Sequence, residues 1–171
     1  MSIFQSTKLY IAMKMMLLGL LLLAGVSISQ AQPDENAIKQ VLRNETEGFF
    51  KRDKEQWSNA WAHVPYINFA ANLYGGDFML VKGWVNLEKQ FANQFKSSKV
   101  TDKVTVQNDN YTIHKNGGMA FVTYDQTLVD SHGKTTSKET RVLEKLNGQW
   151  KIINVVALTN LKNFGLTQQK K

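Results

Sequence analysis

The sequence predicts an α+β fold: three N-terminal helices wrapped by a cone-shaped, curved antiparallel sheet of four long strands plus a small hairpin. Three observations carry this reading. Apolar residues recur at helical spacing in three stretches before residue 96. From Val104 onward the texture changes to long strand-like runs. Those runs are separated by Asn116-Gly117-Gly118, Ser131-His132-Gly133 and Asn147-Gly148, each a sound turn signal. Helices grouped ahead of a series of strands belong to layered α+β packing rather than to parallel βαβ units.

The chain opens on a segment that is expected not to belong to the fold. Lys8 and Lys14 give a basic start, Met15–Val26 is a short apolar run, and Ser29-Gln30-Ala31 has the small residues of a processing site. Residues 1–31 are therefore expected to be a cleavable signal peptide, cut after Ala31, and residues 32–171 a single domain that is periplasmic or secreted. The apolar run falls short of the roughly 18–20 residues that span a bilayer, so no stable membrane anchor is expected after signal removal.

Asp34, after Pro33, reads as the N-cap of an amphipathic helix reaching about Lys51, with Ile38, Val41, Leu42, Glu45 and Phe49 at helical spacing. Asp53 reads as a second cap, for a shorter helix with Trp57, Ala60 and Trp61 on one side, ended by Pro65. Tyr66–Tyr74 and Phe78–Val81 form a small hairpin around Gly75-Gly76-Asp77, and Trp84–Phe95 returns to helical spacing. In the first long strand Val106 and Tyr111 are out of phase, which predicts a β-bulge near Asn108–Asn110.

Composition narrows the chemistry. The chain has no cysteine, so disulfides, thiolate metal sites and a lipidated cysteine are excluded. Its net charge of +7 comes from scattered lysines without a recognition motif, so no nucleic-acid partner is expected. The three histidines lack metal-ligand spacing, and there is no HExxH, Gly-rich phosphate loop or GxSxG elbow. No metal and no cofactor are expected.

The hairpin "ETRVLEKLNGQWKIIN" (residues 139–154) locates a candidate site. With Asn147-Gly148 as a two-residue turn, regular pairing sets Leu143 opposite Ile152 and Arg141 opposite Asn154, on one face with Glu139 and Trp150. Continuing through a turn at His132-Gly133 sets Tyr124 opposite Arg141 and Gln126 opposite Glu139, still on that face. The candidate ligand-binding residues are therefore Arg141, Tyr124, Asn154, Glu139 and Gln126. An inward arginine must be paired. Two readings stand side by side: a polar network closed on itself through Glu139, or a pocket floor whose arginine meets an anionic or carbonyl group. The helix side would be lined by aromatic residues, with Trp61, Tyr66 and Trp84 the ligand contacts, alongside Trp57, Phe69, Tyr74, Phe91 and Phe95. His63, just before the Pro65 break, is the candidate general base.

Three stretches, "KRDKEQWSNAWAH" (Lys51–His63), "VKGW" (Val81–Trp84) and "ETRVLEKLNGQWKIINV" (Glu139–Val155), together with this element order, resemble the nuclear transport factor 2-like superfamily. That superfamily includes SnoaL-like polyketide cyclases and ketosteroid isomerase. The last stretch is similar to the terminal hairpin of the calcium/calmodulin-dependent kinase II association domain, where the matching arginine points into the pocket. The kinase-type domain has histidines on its last strand where this chain has Asn154 and Val156, and the acid pair of the isomerases has no match here. Family catalytic residues therefore do not carry over. The resemblance implies a pocket protein that binds, and isomerises, dehydrates or cyclises, an apolar ligand with a carbonyl or carboxylate. Its alternative is a non-catalytic association or envelope-interaction module, a homodimer formed through the outer sheet face.

Overall fold

The structure is a computed structural model that describes residues 31–73, 76–96, 104–130 and 133–161. Residues 1–30 of the expected signal segment, Tyr74, and Ser131 and His132 of the expected turn lie outside the described residues, whereas Ala31 is described. Helix α1 covers Ala31–Phe50. Its contacts divide at Ala37, and the unit that begins at Ile38 carries the sheet and the other helices. Asp34 is inside the first turn of α1 rather than capping it. Pro33 does not delay the helix, because a proline in the first turn replaces an amide with no intrahelical partner.

Helix α2 covers Lys54–Ala60 and begins as expected, with the Asp53 carboxylate accepting from the Gln56 amide at 3.1 Å. It ends well before Pro65. Trp61 is already extended and forms a parallel bridge with Ile152, and the Ala62 amide donates to the Ile152 carbonyl at 2.9 Å. The buried Trp61 side chain draws the chain onto the sheet, and that contact outweighs local helix propensity.

Strands β1 (Asn68–Asn72) and β2 (Phe78–Lys82) form the small hairpin, and α3 covers Trp84–Phe91. Strands β3 (Thr105–Asn116), β4 (Met119–Asp130), β5 (Gly133–Leu146) and β6 (Gln149–Thr159) form the long meander. All six strands join one curved sheet in the order β2-β1-β6-β5-β4-β3. The sheet is mixed rather than wholly antiparallel, because β1 lies parallel to β6, with Phe69 beside Val155 and Ala71 beside Ala157. A parallel pair needs a long connection. Here β2, α3 and three strands intervene, so no turn signal announces it.

Two irregularities bend the sheet. The expected bulge in β3 is present between Asp109 and Thr112, with Asn110 at φ 54°. A second, unexpected one sits in the last hairpin. From the turn, Leu146 opposes Gln149 and Leu143 opposes Ile152 as predicted, but the register then shifts so that Val142 opposes Asn154 and Arg141 opposes Val155. Asn154 is therefore not across from Arg141, and Val155 replaces it on the buried face. The turn itself is regular, Asn147 and Gly148 both having positive φ as a type I′ turn requires.

The helices pack into the concave side. Ile38 and Leu42 of α1, Trp57 of α2 and Leu87 of α3 bury against Val122, Leu143, Ile152 and Val155 of the sheet. Gly48 lets α1 meet α2 closely, since a Cβ there would lie 2.5 Å from the Trp57 backbone nitrogen.

Candidate functional site

Three side chains form the centre of the site, each buried to within a few per cent of full: Arg141 (4% exposed), Glu139 (3%) and Glu45 (6%). Strand alternation on β5 points Arg141 and Glu139 inward together. Helical spacing from Ile38 and Leu42 brings Glu45 onto the same buried face of α1. Arg141 Nη1 donates to Glu139 Oε2 at 2.6 Å, and its Nη2 lies 3.6 Å from Glu45 Oε2. Glu139 also accepts a short hydrogen bond from Ser137 Oγ. The Thr46 hydroxyl donates to Gln126 Oε1 at 3.0 Å and stands 3.4 Å from Glu45 Oε2.

These groups line a cavity of about 310 Å³, in the size range of small-molecule sites. Its walls are apolar. Phe49, Phe50, Trp57 and Phe91 come from the helices, and Phe69, Met79, Leu128 and Ala157 from the sheet. Phe49 and Phe91 meet edge to face at 5.0 Å between centroids, as do Phe69 and Phe91 at 5.3 Å, so the aromatic wall is packed in preferred geometries.

The two carboxyl groups differ. Glu139 has the tight contact with the guanidinium. Glu45 has the looser one, and burial pushes its carboxyl above the ordinary carboxylate range, with Glu139 adding to the rise. Arg141, Thr46 and Trp57 act in the opposite direction without cancelling it. One guanidinium neutralises one carboxylate, so the second carboxyl in an apolar cavity tends to keep its proton. The site therefore holds a compensated ion pair beside a carboxyl that can donate or accept a proton.

The sequence-predicted residues divide into those gathered here and those elsewhere. Arg141, Glu139 and Gln126 line the cavity. Tyr124 is on the predicted inner face, but it opposes Glu139 rather than Arg141, and Gln126 opposes Ser137. The closing pair Asp130–Gly133 lies one residue earlier on each strand than the assumed Ser131–Lys134, which moves every partner by two residues and so preserves every face. Tyr124 backs the site instead of lining it. Its ring stacks on Tyr111 at 5.2 Å, the Arg141 guanidinium lies 5.8 Å from its centroid, and burial raises its phenol pKa.

Asn154, Trp61, Tyr66, Trp84 and His63 do not line the cavity. Asn154 is removed by the β6 irregularity. Trp61 is in the core, and Tyr66 is exposed and donates to Glu144 Oε2 at 2.6 Å. His63 is also exposed. Its ring stacks on Trp84 at 4.1 Å and Nε2 faces the Ser58 hydroxyl and carbonyl at 3.1 and 3.0 Å. Sequence reasoning did not select Glu45, Thr46 or Ser137. The signal for Glu45 was an acidic residue at an apolar position of a helical stripe. Among the described residues no cluster of His, Asp and Glu side chains is arranged to hold a metal, and no helix is long and apolar enough to cross a membrane.

No protein-family model matches the chain, and no curated protein sequence matches it. Solved structures do. An NTF2-like protein of unknown function from Shewanella oneidensis superposes with TM-score 0.57 at 15% identity, over 73% of this chain and 98% of that one. An NTF2-like protein of unknown function from Pseudomonas putida gives 0.58 at 15%, over 75% and 87%. The association domain of C. elegans CaMKII gives 0.57 at 19%, over 74% and 95%. What is shared at these identities is the architecture: the chain has the nuclear transport factor 2-like fold.

Proposed function

We propose that this chain, built on the nuclear transport factor 2-like fold, is a small-molecule pocket protein that acts in the periplasm or outside the cell. The observation that carries the reading is the cavity: apolar walls closed around one cluster of Arg141, Glu139, Glu45 and Gln126. Apolar walls supply affinity and a few convergent polar groups supply orientation. The ligand is an apolar molecule whose oxygen-bearing end, a carbonyl or carboxylate, sits at the polar cluster. Isomerisation, dehydration and cyclisation are the reactions this arrangement suits, because each moves a proton at or near such an oxygen and the Glu45 carboxyl, its pKa raised by burial, lines the cavity there. The compartment rests on the signal-like pattern of Lys8 to Ala31.

A thermal-shift screen of apolar ketones, carboxylic acids and steroids against the protein and an Ala157→Phe variant tests this. Ala157 is a small wall residue, and a phenyl ring there fills part of the cavity. Compounds that raise the melting temperature of the wild type are expected to leave the folded variant unmoved. Equal shifts in both proteins, or none in the wild type, would contradict the reading.

A second reading, a homodimer formed through the outer sheet face, is favoured by one specific feature. Cross-strand neighbours Leu80, Ala70, Val156, Thr140, Thr123 and Thr112 form an uncharged row across all six strands. Exposed Phe121 and Leu158 are on the same face. An apolar centre with a polar rim is the usual anatomy of such an interface, and association domains are among the chains that share this fold. The two readings are compatible, since the cavity occupies the opposite face.

A further inference from the structure

We propose that the cavity selects uncharged apolar molecules tipped with a carbonyl or hydroxyl oxygen, and that Glu45 is the residue that hydrogen-bonds that oxygen. The inference rests on the pocket reading above and narrows it, separating the carbonyl ligand from the carboxylate one.

Arg141 is the cation of the cluster, and Glu139 engages it at 2.6 Å with Ser137 holding the other carboxylate oxygen. A ligand carboxylate would have to displace Glu139 or become a third carboxyl group around one guanidinium. Both outcomes leave an uncompensated charge in an apolar cavity, which is strongly unfavourable. A ligand ammonium gains little either. It would be balanced only by an ionised Glu45, and burial in the apolar cavity opposes that ionisation. An uncharged oxygen escapes both penalties and needs only a hydrogen-bonding partner.

Glu45 is placed to be that partner. Its carboxyl makes no contact with Arg141 shorter than 3.6 Å, and it lines the cavity from α1 together with Phe49 and Trp57 of the aromatic wall. The groups that face it are Thr46 on its own helix, Trp57 on α2, Gln126 and Tyr124 on β4, and Glu139 and Arg141 on β5. A protonated Glu45 donates to a ligand carbonyl, and either form accepts from a ligand hydroxyl.

Four eight-carbon probes of matched shape test the selection: 2-octanone, 1-octanol, octanoate and octylammonium. Each is titrated by calorimetry near neutral pH into the folded wild type, Glu45→Gln and Glu45→Leu, with folding checked by circular dichroism. The ketone and the alcohol are expected to bind at least about tenfold more tightly than either charged probe, the order of effect that a buried unpaired charge or hydrogen-bonding group produces. Glu45→Gln, whose amide still donates and accepts, is expected to retain binding of the ketone, and Glu45→Leu to lose about tenfold. Should Glu45→Leu not fold, retention in Glu45→Gln together with the probe ranking decides. Tightest binding of octanoate or octylammonium, or undiminished ketone binding in Glu45→Leu, would overturn the inference while leaving the pocket reading standing. Failure of every probe to bind the wild type would overturn both.

Discussion

At the scale of single residues, Arg141 has a partner without being silenced by it. Glu139 meets its charge, and Glu45 stands at ion-pair distance on the other side. Removing the cation strands two buried carboxyl groups. Arg141→Ala is therefore expected to lower unfolding stability by about 3–5 kcal/mol in a denaturant titration, the cost of breaking a buried pair from one side. Glu45 gives a pH signature of opposite character. Its pKa in the folded protein lies above the ordinary 4.5 of a free glutamate, so around that pH the native state holds a proton that the unfolded chain releases. Its contribution to stability accordingly falls as pH rises from about 4.5 toward the folded value and is level beyond it. Glu45→Gln abolishes that slope. Melting curves over a pH series should show the variant gaining on the wild type as pH rises, with the gap closing in acid. A constant difference at every pH would contradict the assignment.

The inward face of β5 was legible at this scale, because a well-defined Asn-Gly turn and strict alternation place Glu139 and Arg141 together. Asn154 was not. A β-bulge costs one residue in register and leaves no compositional mark in Ile152-Ile153-Asn154, so rigid propagation from the turn goes wrong by one beyond it. Glu45 was visible as an anomaly in an apolar stripe, but only the tertiary contact of α1 with β5 gives it a role.

At the scale of elements, the α1–α2 junction is the point of closest approach. Glycine inside a helix ordinarily weakens it, and alanine would be expected to stabilise by about 0.5–1 kcal/mol. Gly48 reverses that sign, since the added methyl would stand 2.5 Å from the Trp57 backbone nitrogen and 2.9 Å from its Cα. Backbone cannot yield as a side-chain tip can. Gly48→Ala is expected to destabilise by about 1–3 kcal/mol, the range for overpacking, and a variant at or above wild-type stability would show that the helices separate freely. Because Trp57 lines the cavity, the same variant should weaken ligand binding. The elements themselves were readable from apolar periodicity and turn chemistry. Their ends were less so: α2 stops at Ala60 because Trp61 pairs with Ile152, a contact 91 residues along the chain that no local pattern contains.

At the scale of the whole molecule, the order of elements was written in the sequence and the order of strands was not. Hairpins between neighbours follow from turns, whereas β1 beside β6 depends on where the chain returns after five further elements. That parallel pairing matters functionally. It brings Phe69 and Ala71 alongside Val155 and Ala157 and closes the cavity wall. It also completes the uncharged outer row, whose centre is Val156. If that row is an interface, sedimentation at micromolar concentration should give a dimer, and Val156→Lys a folded monomer. A wild-type monomer would refute the interface and leave the cavity untouched.

The central claim, that the Arg141–Glu139–Glu45 cluster receives the uncharged oxygen of an apolar ligand, is tested most directly by a crystal structure of the protein soaked with 2-octanone. Density is expected inside the cavity, with the alkyl chain against Phe49, Trp57 and Phe69 and the carbonyl oxygen within hydrogen-bonding distance of the Glu45 carboxyl. A ketone found with its oxygen turned away from Glu45, or a cavity that stays empty at saturating concentration, would contradict it.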